Sequence, residues 1–249
     1  MQLVCPAGNL PALQAAIDAG ADAVYAGFRD QTNARAFPGL NFSDAELRAG
    51  IAYAHQRGRQ VYLALNTYPD SARLQQWYTA VDKAAEFGCD AIIAAEMAVL
   101  DYATRRHPSL KRHLSVQGSA TTAPALRYAH ERFGISRAVL PRVLSIQQVE
   151  RLCEGSPVPI EVFAFGSLCI MVEGRCQLSS YVTGASPNRH GVCSPASFVR
   201  WEEHDDGRRS VRLNQVLMDK FEPAEPAGYP TVCKGRFDVG GEIFHALEE

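Results

Sequence analysis

Four of the seven cysteines lie after residue 165, and together their thiols could bind a metal centre. Cys169, Cys176, Cys193 and Cys233 follow the spacing C-x6-C-x16-C-x39-C. Thiolate is the usual ligand of iron-sulfur centres. The spacing lacks the C-x2-C pair that is typical of zinc ribbons and ferredoxins. On spacing alone, metal binding and inert packing of small apolar side chains both stay open.

Three polar residues directly follow predicted strands, where barrel enzymes collect their chemistry. They are Asn66, Gln117 and Arg142. The planar fork of an arginine can bind a carboxylate through two hydrogen bonds, and the two amides can position a polar substrate. Each residue also has an ordinary structural role, because strand-end arginines cap helices and buried amides satisfy backbone groups. The sequence assigns no catalytic residue.

The remaining cysteines and the histidines give little sign of chemistry. Cys89 and Cys153 fall in predicted helix ends or turns, where we expect packing residues. The seven histidines show no H-x3-H or H-E-x-x-H spacing, and the sequence contains no G-x-S-x-G elbow. The motifs of zinc proteases and serine hydrolases are therefore missing.

Regularly alternating elements are predicted to position these residues. Up to about residue 165, short apolar runs alternate with longer amphipathic ones, a pattern typical of β-α units around a parallel sheet. Helix starts are predicted at Ser43 with Glu46 and at Ser145 with Gln148, both capping boxes. Helix ends are predicted at Gly20, Gly58, Gly88 and Gly134. The predicted strands are 2–4, 23–26, 61–65, 91–94, 113–116, 137–140 and 160–164.

The repeated units predict an α/β fold of the (β/α) TIM-barrel type. Residues 16–26 and 84–94 repeat the order helix end, glycine, aspartate, strand. An open doubly wound sheet is the alternative, but no G-x-G-x-x-G turn follows the first strand. We expect residues 1–165 to form the barrel units and 166–249 to form a cysteine-bearing segment packed on the same domain. No eighth β-α unit is evident, so we expect a barrel incomplete at its C-terminus. The charged stretch 201–212 predicts a surface hairpin or loop.

Composition limits the class of protein. The chain has 249 residues, 47% hydrophobic and 21% charged, which predicts one large globular domain. Its formal net charge of -2 gives no overall positive potential that would attract the phosphates of a nucleic acid. The N-terminus shows no secretion signal and no window has about 18 consecutive apolar residues, so we expect a cytoplasmic protein without membrane insertion. Seven cysteines in such a chain favour thiols or metal ligands over disulfides.

Several stretches resemble a known family. Residues 161–195, EVFAFGSLCIMVEGRCQLSSYVTGASPNRHGVCSP, resemble the signature of the collagenase-like, or unclassified, peptidases. The stretches NARAFPGLNFS, VLPRVLSIQQV and GYPTVCKGRF resemble the branch of that family that serves oxygen-independent ubiquinone biosynthesis. The resemblance implies a 4Fe-4S cluster bound by Cys169, Cys176, Cys193 and Cys233. A cluster with four protein thiolates has no open iron, which favours electron transfer or structural anchoring over Lewis-acid chemistry.

The same resemblance implies a function and partners. It implies a subunit required for O2-independent hydroxylation of the ubiquinone precursor ring, with prephenate as the oxygen donor. The implied partners are a homologous UbiV-like subunit in a heterodimer and a UbiT-like lipid carrier that presents the quinone precursor. The alternatives are a tRNA or rRNA base hydroxylase subunit, disfavoured by the acidic balance, and a noncatalytic scaffold. Proteins of this kind are longer, so we expect this chain to lack a C-terminal portion.

Overall fold

Seven parallel strands form one curled sheet in which sequence neighbours are also neighbours in space. The computed structural model describes residues 1–166, 176–228, 230–231, 233, 236–239 and 242–245, so Cys169 lies outside the described residues. The sheet and its helices make a half-barrel, as the alternation of elements predicts. The strands are β1 (Val4–Pro6), β2 (Ala23–Ala26), β3 (Gln60–Leu65), β4 (Ala91–Ala94), β5 (Lys111–Leu114), β6 (Arg137–Val139) and β7 (Ile160–Glu161).

Six helices connect these strands. Ser43 and Ser145 form the predicted capping boxes with Glu46 and Gln148. Gly88 and Gly134 are left-handed residues that end their helices, also as predicted. The helices are α1 (Leu10–Asp18), α2 (Asp44–His55), α3 (Leu74–Phe87), α4 (Met97–Arg106), α5 (Ala123–Phe133) and α6 (Ile146–Gly155), with short 3-10 turns at Ser71–Arg73 and Val116–Gly118.

The predicted strands differ from the observed ones mainly in their ends. Strand β5 begins at Lys111, two residues earlier than predicted, and it carries a charged residue into the core. The buried Arg112 donates to the carbonyl oxygens of Phe133 (2.9 Å) and Gly134 (3.2 Å), at the end of α5. A search for apolar runs does not find this strand start, because Arg112 is charged. Its burial is possible because the guanidinium donates to carbonyl oxygens at the end of a helix.

Side chains on the sheet alternate between two environments. One face packs against the helices in the main core, which includes Leu63, Trp77 and Ile92. On the concave face, Tyr62, Ala91 and Ile93 form a second, smaller cluster that Val4 and Tyr25 join. Alternation along a strand produces this division, because successive side chains point to opposite faces.

The part of the chain after the parallel strands forms smaller units. Helices α7 (Gln177–Thr183) and α8 (Pro187–His190) are followed by a 3-10 turn at Ala196–Phe198 and by an antiparallel sheet in the order β10-β9-β8. This sheet confirms the predicted hairpin at 201–212. The division of the chain at residue 165 stays a prediction. The strands are β8 (Val199–Glu203), β9 (Arg209–Leu213) and β10 (Val216–Phe221), with β11 (Arg236–Val239) paired to β12 (Glu242–His245).

The described helices contain no stretch that is both long and apolar enough to cross a bilayer.

Candidate functional site

The segment between Cys176 and Cys193 packs on the edge formed by the carboxyl ends of the parallel strands, which we call the mouth. The Tyr68 amide, just after β3, donates to the Asn188 carbonyl oxygen at 2.7 Å. The Ala36 amide, in the loop after β2, donates to the Gly191 carbonyl oxygen at 2.7 Å. These backbone bonds join the cysteine-bearing segment to the end of the barrel where catalytic groups collect.

Gly191 makes the closest approach between this segment and the mouth. Its φ of +77° lies in the left-handed region. A Cβ atom there would lie 2.7 Å from the Asn33 carbonyl oxygen and 2.9 Å from the Ala36 Cβ. Only glycine fits both the conformation and the space.

Cys176 is held at the start of α7. Its amide donates to the Asn188 Oδ1 at 2.9 Å, and its thiol donates to the Ser179 hydroxyl at 3.2 Å. The cysteine occupies the N-cap position of the helix and makes no side-chain capping bond itself. The backbone of this predicted metal ligand therefore depends on Asn188.

The thiols of Cys176 and Cys233 both influence Cys193. Burial raises the pKa of the Cys193 thiol, the Arg35 guanidinium opposes the rise, and the Cys233 and Cys176 thiols add to it. Within the described residues, however, no three His, Cys, Asp or Glu side chains come close enough together to hold a metal ion. The four-cysteine metal site therefore stays a prediction, with Cys169 outside the described residues.

The structure brings two of the predicted substrate residues to the mouth, both in bonds with protein groups. Asn66 Oδ1 accepts a hydrogen bond from the Ala34 amide at 3.0 Å. Gln117 is 6% exposed, and its side-chain oxygen accepts from Asn188 Nδ2 at 2.5 Å. Their contact with a substrate stays a prediction.

Arg142, the third predicted substrate residue, follows β6. Its guanidinium carbon lies 3.5 Å from the centroid of the Phe163 ring, beyond the end of β7. The stacking holds the planar guanidinium over an aromatic face at the open end of the sheet. A carboxylate bound by Arg142 stays a prediction.

Sequence reasoning missed Tyr25 and Arg35. Burial raises the pKa of Tyr25, the nearby Arg35 and Arg142 guanidiniums oppose the rise, and Glu161 adds to it. Because Arg35 also acts on Cys193, it connects the cysteine neighbourhood with the concave face. Arg35 lies in a long loop rather than at a strand end, so strand periodicity does not point to it.

The concave face also holds a polar group around Arg137, the first residue of β6. Arg137 and Glu161 form an ion pair of 3.1 Å, and the Arg137 guanidinium lies 5.5 Å from the Tyr62 ring centroid. His113 is 3% exposed and its ring centroid is 4.6 Å from that of Tyr62. Burial, with Arg137 and Lys111, lowers the pKa of His113 to about 3, so its imidazole is neutral.

The two remaining cysteines with expected packing roles differ. Cys89 is buried, and burial, with a contribution from Asp90, raises the pKa of its thiol to about 12, as suits an inert packing residue. The prediction for Cys153 is wrong, because that residue is exposed on α6. Leu152 is the buried residue of this helix, and the next residue is turned by about 100° toward solvent.

Known proteins that resemble the chain include proteins of tRNA and rRNA hydroxylation. The tRNA hydroxylation protein P of Escherichia coli (strain K12) is 32% identical over 243 residues, covering 92% of this chain and 51% of the relative. The 23S rRNA 5-hydroxycytidine C2501 synthase of the same organism is 30% identical over 221 residues, covering 88% of this chain and 32% of the relative. The chain thus spans about half, or less, of the length of these relatives.

A solved structure agrees with the fold. The U32 peptidase Mk0906 superposes with a TM-score of 0.55 at 14% identity, covering 65% of this chain and 68% of that one. The model of peptidase family U32 matches residues 8–220, which include strands β2 to β7, the mouth, Cys176 and Cys193. The chain therefore belongs to peptidase family U32.

Proposed function

We propose that this chain is a subunit of an oxygen-independent hydroxylase that acts on the ubiquinone precursor ring, and that Cys169, Cys176, Cys193 and Cys233 hold a 4Fe-4S cluster in it. The observation that carries the proposal is the attachment of the cysteine segment to the mouth, through Asn188 and Gly191. A redox centre there would lie beside the end of the barrel that receives substrates.

The donor set supports a cluster. Thiolate is the usual ligand of iron-sulfur centres, and four cysteines are the full ligand set of a 4Fe-4S cluster. The thiols of Cys176 and Cys233 both lie near enough to Cys193 to raise its pKa. When bound, the cluster supplies one-electron transfer.

The charged groups at the mouth fit an anionic oxygen donor. Arg35 and Arg142 both act on Tyr25, so two guanidiniums face the same phenol. The Arg142 guanidinium carbon lies 3.5 Å from the Phe163 ring centroid, and a guanidinium can bind a carboxylate through two hydrogen bonds. We propose that these groups bind prephenate, with Asn66 and Gln117 as further candidate contacts.

Apolar side chains at the mouth favour a quinone precursor over RNA. Five large hydrophobic residues after β6 and β7 are exposed, and Phe165 is fully so. An exposed apolar rim is suited to a substrate with a polyprenyl tail delivered by a UbiT-like carrier, whereas RNA would call for a basic rim. A UbiV-like subunit is the proposed partner. The rim consists of Val143, Ile146, Val162, Phe163 and Phe165.

The second candidate is hydroxylation of tRNA or rRNA bases. The names of the relatives favour it, since one is a tRNA hydroxylation protein and another a 23S rRNA 5-hydroxycytidine synthase. The net charge of -2 disfavours it, because phosphate contacts supply most nonspecific affinity for nucleic acid.

One experiment separates the two candidates. Cells that lack the gene are grown without oxygen and complemented with the wild-type gene, with Cys176→Ser, or with Cys153→Ser as the control on an exposed thiol. Ubiquinone and hydroxylated nucleosides are measured by mass spectrometry in the same cultures. We expect the deletion and Cys176→Ser to lose ubiquinone and retain the nucleosides, and Cys153→Ser to behave as wild type. Unchanged ubiquinone with loss of the nucleosides would replace the first proposal by the second.

A further inference from the structure

Asn188 is a buried asparagine whose side-chain oxygen and nitrogen both make hydrogen bonds. It is 6% exposed. Its Oδ1 accepts from the Cys176 amide at 2.9 Å, and its Nδ2 donates to the Gln117 Oε1 at 2.5 Å. Because both ends of the amide have a partner, its orientation is fixed.

The neighbours of Asn188 complete a network across the mouth. The Asn188 carbonyl oxygen accepts from the Tyr68 amide at 2.7 Å, and the Tyr68 hydroxyl donates to the Gln117 carbonyl oxygen at 2.6 Å. Tyr68 follows β3 and Gln117 follows β5, so the network spans two strand ends and is tied to the sheet. A buried network in which each member is satisfied is rigid and specifies one arrangement.

We infer that Asn188 is a positioning residue for Cys176, and that Gln117 orients the Asn188 amide. The inference rests on the proposed cluster. The Cys176 amide would otherwise be an unpaired donor at the start of α7, and its rotation would carry the thiol with it. Asn188 ties that amide to the strand ends, which fixes the thiol relative to the mouth. Groups that orient metal ligands in this way usually affect both affinity and redox properties.

The test uses the full chain and a pair of substitutions at Asn188. Asn188→Ala removes both side-chain bonds. Asn188→Asp keeps an oxygen for the Cys176 amide, and the Gln117 amide can turn to donate to the second carboxylate oxygen. Each protein is reconstituted without air with limiting ferrous iron and sulfide. Iron and acid-labile sulfide per chain, the electron paramagnetic resonance spectrum and the midpoint potential are measured.

We expect Asn188→Ala to bind iron and sulfide about tenfold more weakly than wild type. Asn188→Asp restores binding and lowers the midpoint potential, because an added negative charge near Cys176 favours the oxidised state. If Asn188 only supported the fold, the Asn188→Ala protein would keep the wild-type midpoint potential. The control is Thr104→Ala, which removes hydrogen bonds of 2.8 Å to the carbonyl oxygens of Leu100 and Phe133, on the outer helices. It should lower the melting temperature without changing the cluster content.

The outcomes separate this inference from the proposed function. Wild-type protein that takes up neither iron nor sulfide overturns both. Wild-type protein that forms the cluster, together with an Asn188→Ala variant of equal content, spectrum and potential, overturns the role of Asn188 alone. If Asn188→Ala does not fold, the Asn188→Asp protein provides the test. A midpoint potential equal to that of wild type would show that residue 188 is not close to the cluster.

Discussion

At the scale of single residues, the buried polar side chains differ in whether they have a hydrogen-bond partner. Arg112 and Gln117 are buried with hydrogen-bond partners, and each ties one element to another. His113 differs, because its Nδ1 is buried without a partner among the described residues. Burial of such a group costs free energy when it is charged, so His113 couples the stability of the fold to pH.

Replacing His113 should flatten the dependence of stability on pH. The folded pKa of about 3 lies below the unfolded value of about 6.5, so the unfolded state binds more protons between these values. Stability is therefore present above the unfolded pKa and falls as the pH drops toward 3. At pH 5 the loss is about 2 kcal/mol. His113→Gln should remove this part of the slope between pH 7 and pH 5 in urea unfolding, whereas His204→Gln, at an exposed position, should retain it. Parallel slopes for wild type and His113→Gln would contradict the assignment.

Residue types alone predicted part of the candidate site. The cysteine spacing and the resemblance pointed to Cys176, Cys193 and Cys233, which the fold brings into one neighbourhood. Strand ends pointed to Gln117 and Arg142. Asn188 and Arg35 were missed, because their importance comes from contacts with strand ends more than 70 residues away in the chain or from a loop without periodicity. Such contacts follow from the tertiary fold and have no local signal.

At the scale of elements, local signals predicted the helices better than the strands. Both capping boxes were recognised, because the hydrogen bonds that define them lie within four residues. The ends of β5 and β7 were misplaced, because a strand ends where its neighbour stops pairing, which is a property of the sheet. The contact between the cysteine segment and the mouth is likewise a property of the tertiary fold. It depends on the fit of Gly191 against the loop after β2.

Two glycines that end short helices provide a matched test of the contact between Gly191 and the loop after β2. Gly184 and Gly191 have similar φ values of +70° and +77°. An added Cβ at Gly184 meets no atom within 4 Å, whereas at Gly191 it meets the Asn33 carbonyl oxygen. Gly184→Ala should cost about 1 kcal/mol from backbone strain alone. Gly191→Ala should cost about 2 kcal/mol more, because backbone must move. Urea unfolding and limited proteolysis between Cys176 and Cys193 measure the two effects, and equal losses would show that the close contact is unimportant.

At the scale of the whole molecule, the curl of the sheet brings its two ends together. Arg137 of β6 contacts Gln2, next to β1, as well as Glu161 of β7. The arginine therefore joins both ends of the half-barrel across its amino-terminal opening. The contact leaves the mouth, at the other end of the strands, free for the cysteine segment. Arg137 therefore stabilises the curl of the sheet, whereas the cysteine segment packs on the mouth.

Loss of Arg137 should therefore destabilise the molecule much more than loss of an arginine on the surface. The side chains of Arg137 and Glu161 are 16% and 20% exposed, so Arg137→Met leaves a largely buried carboxylate without its partner. We expect a loss of about 2–3 kcal/mol in the free energy of unfolding at pH 7. Adding Glu161→Gln should recover part of it, because the uncompensated charge is then removed. Arg105, whose side chain is 76% exposed and pairs with Asp101, is the control, and Arg105→Met should cost less than about 1 kcal/mol. Equal losses for the two arginine variants, or no recovery in the double variant, would mean that the ends of the half-barrel are held together by packing alone.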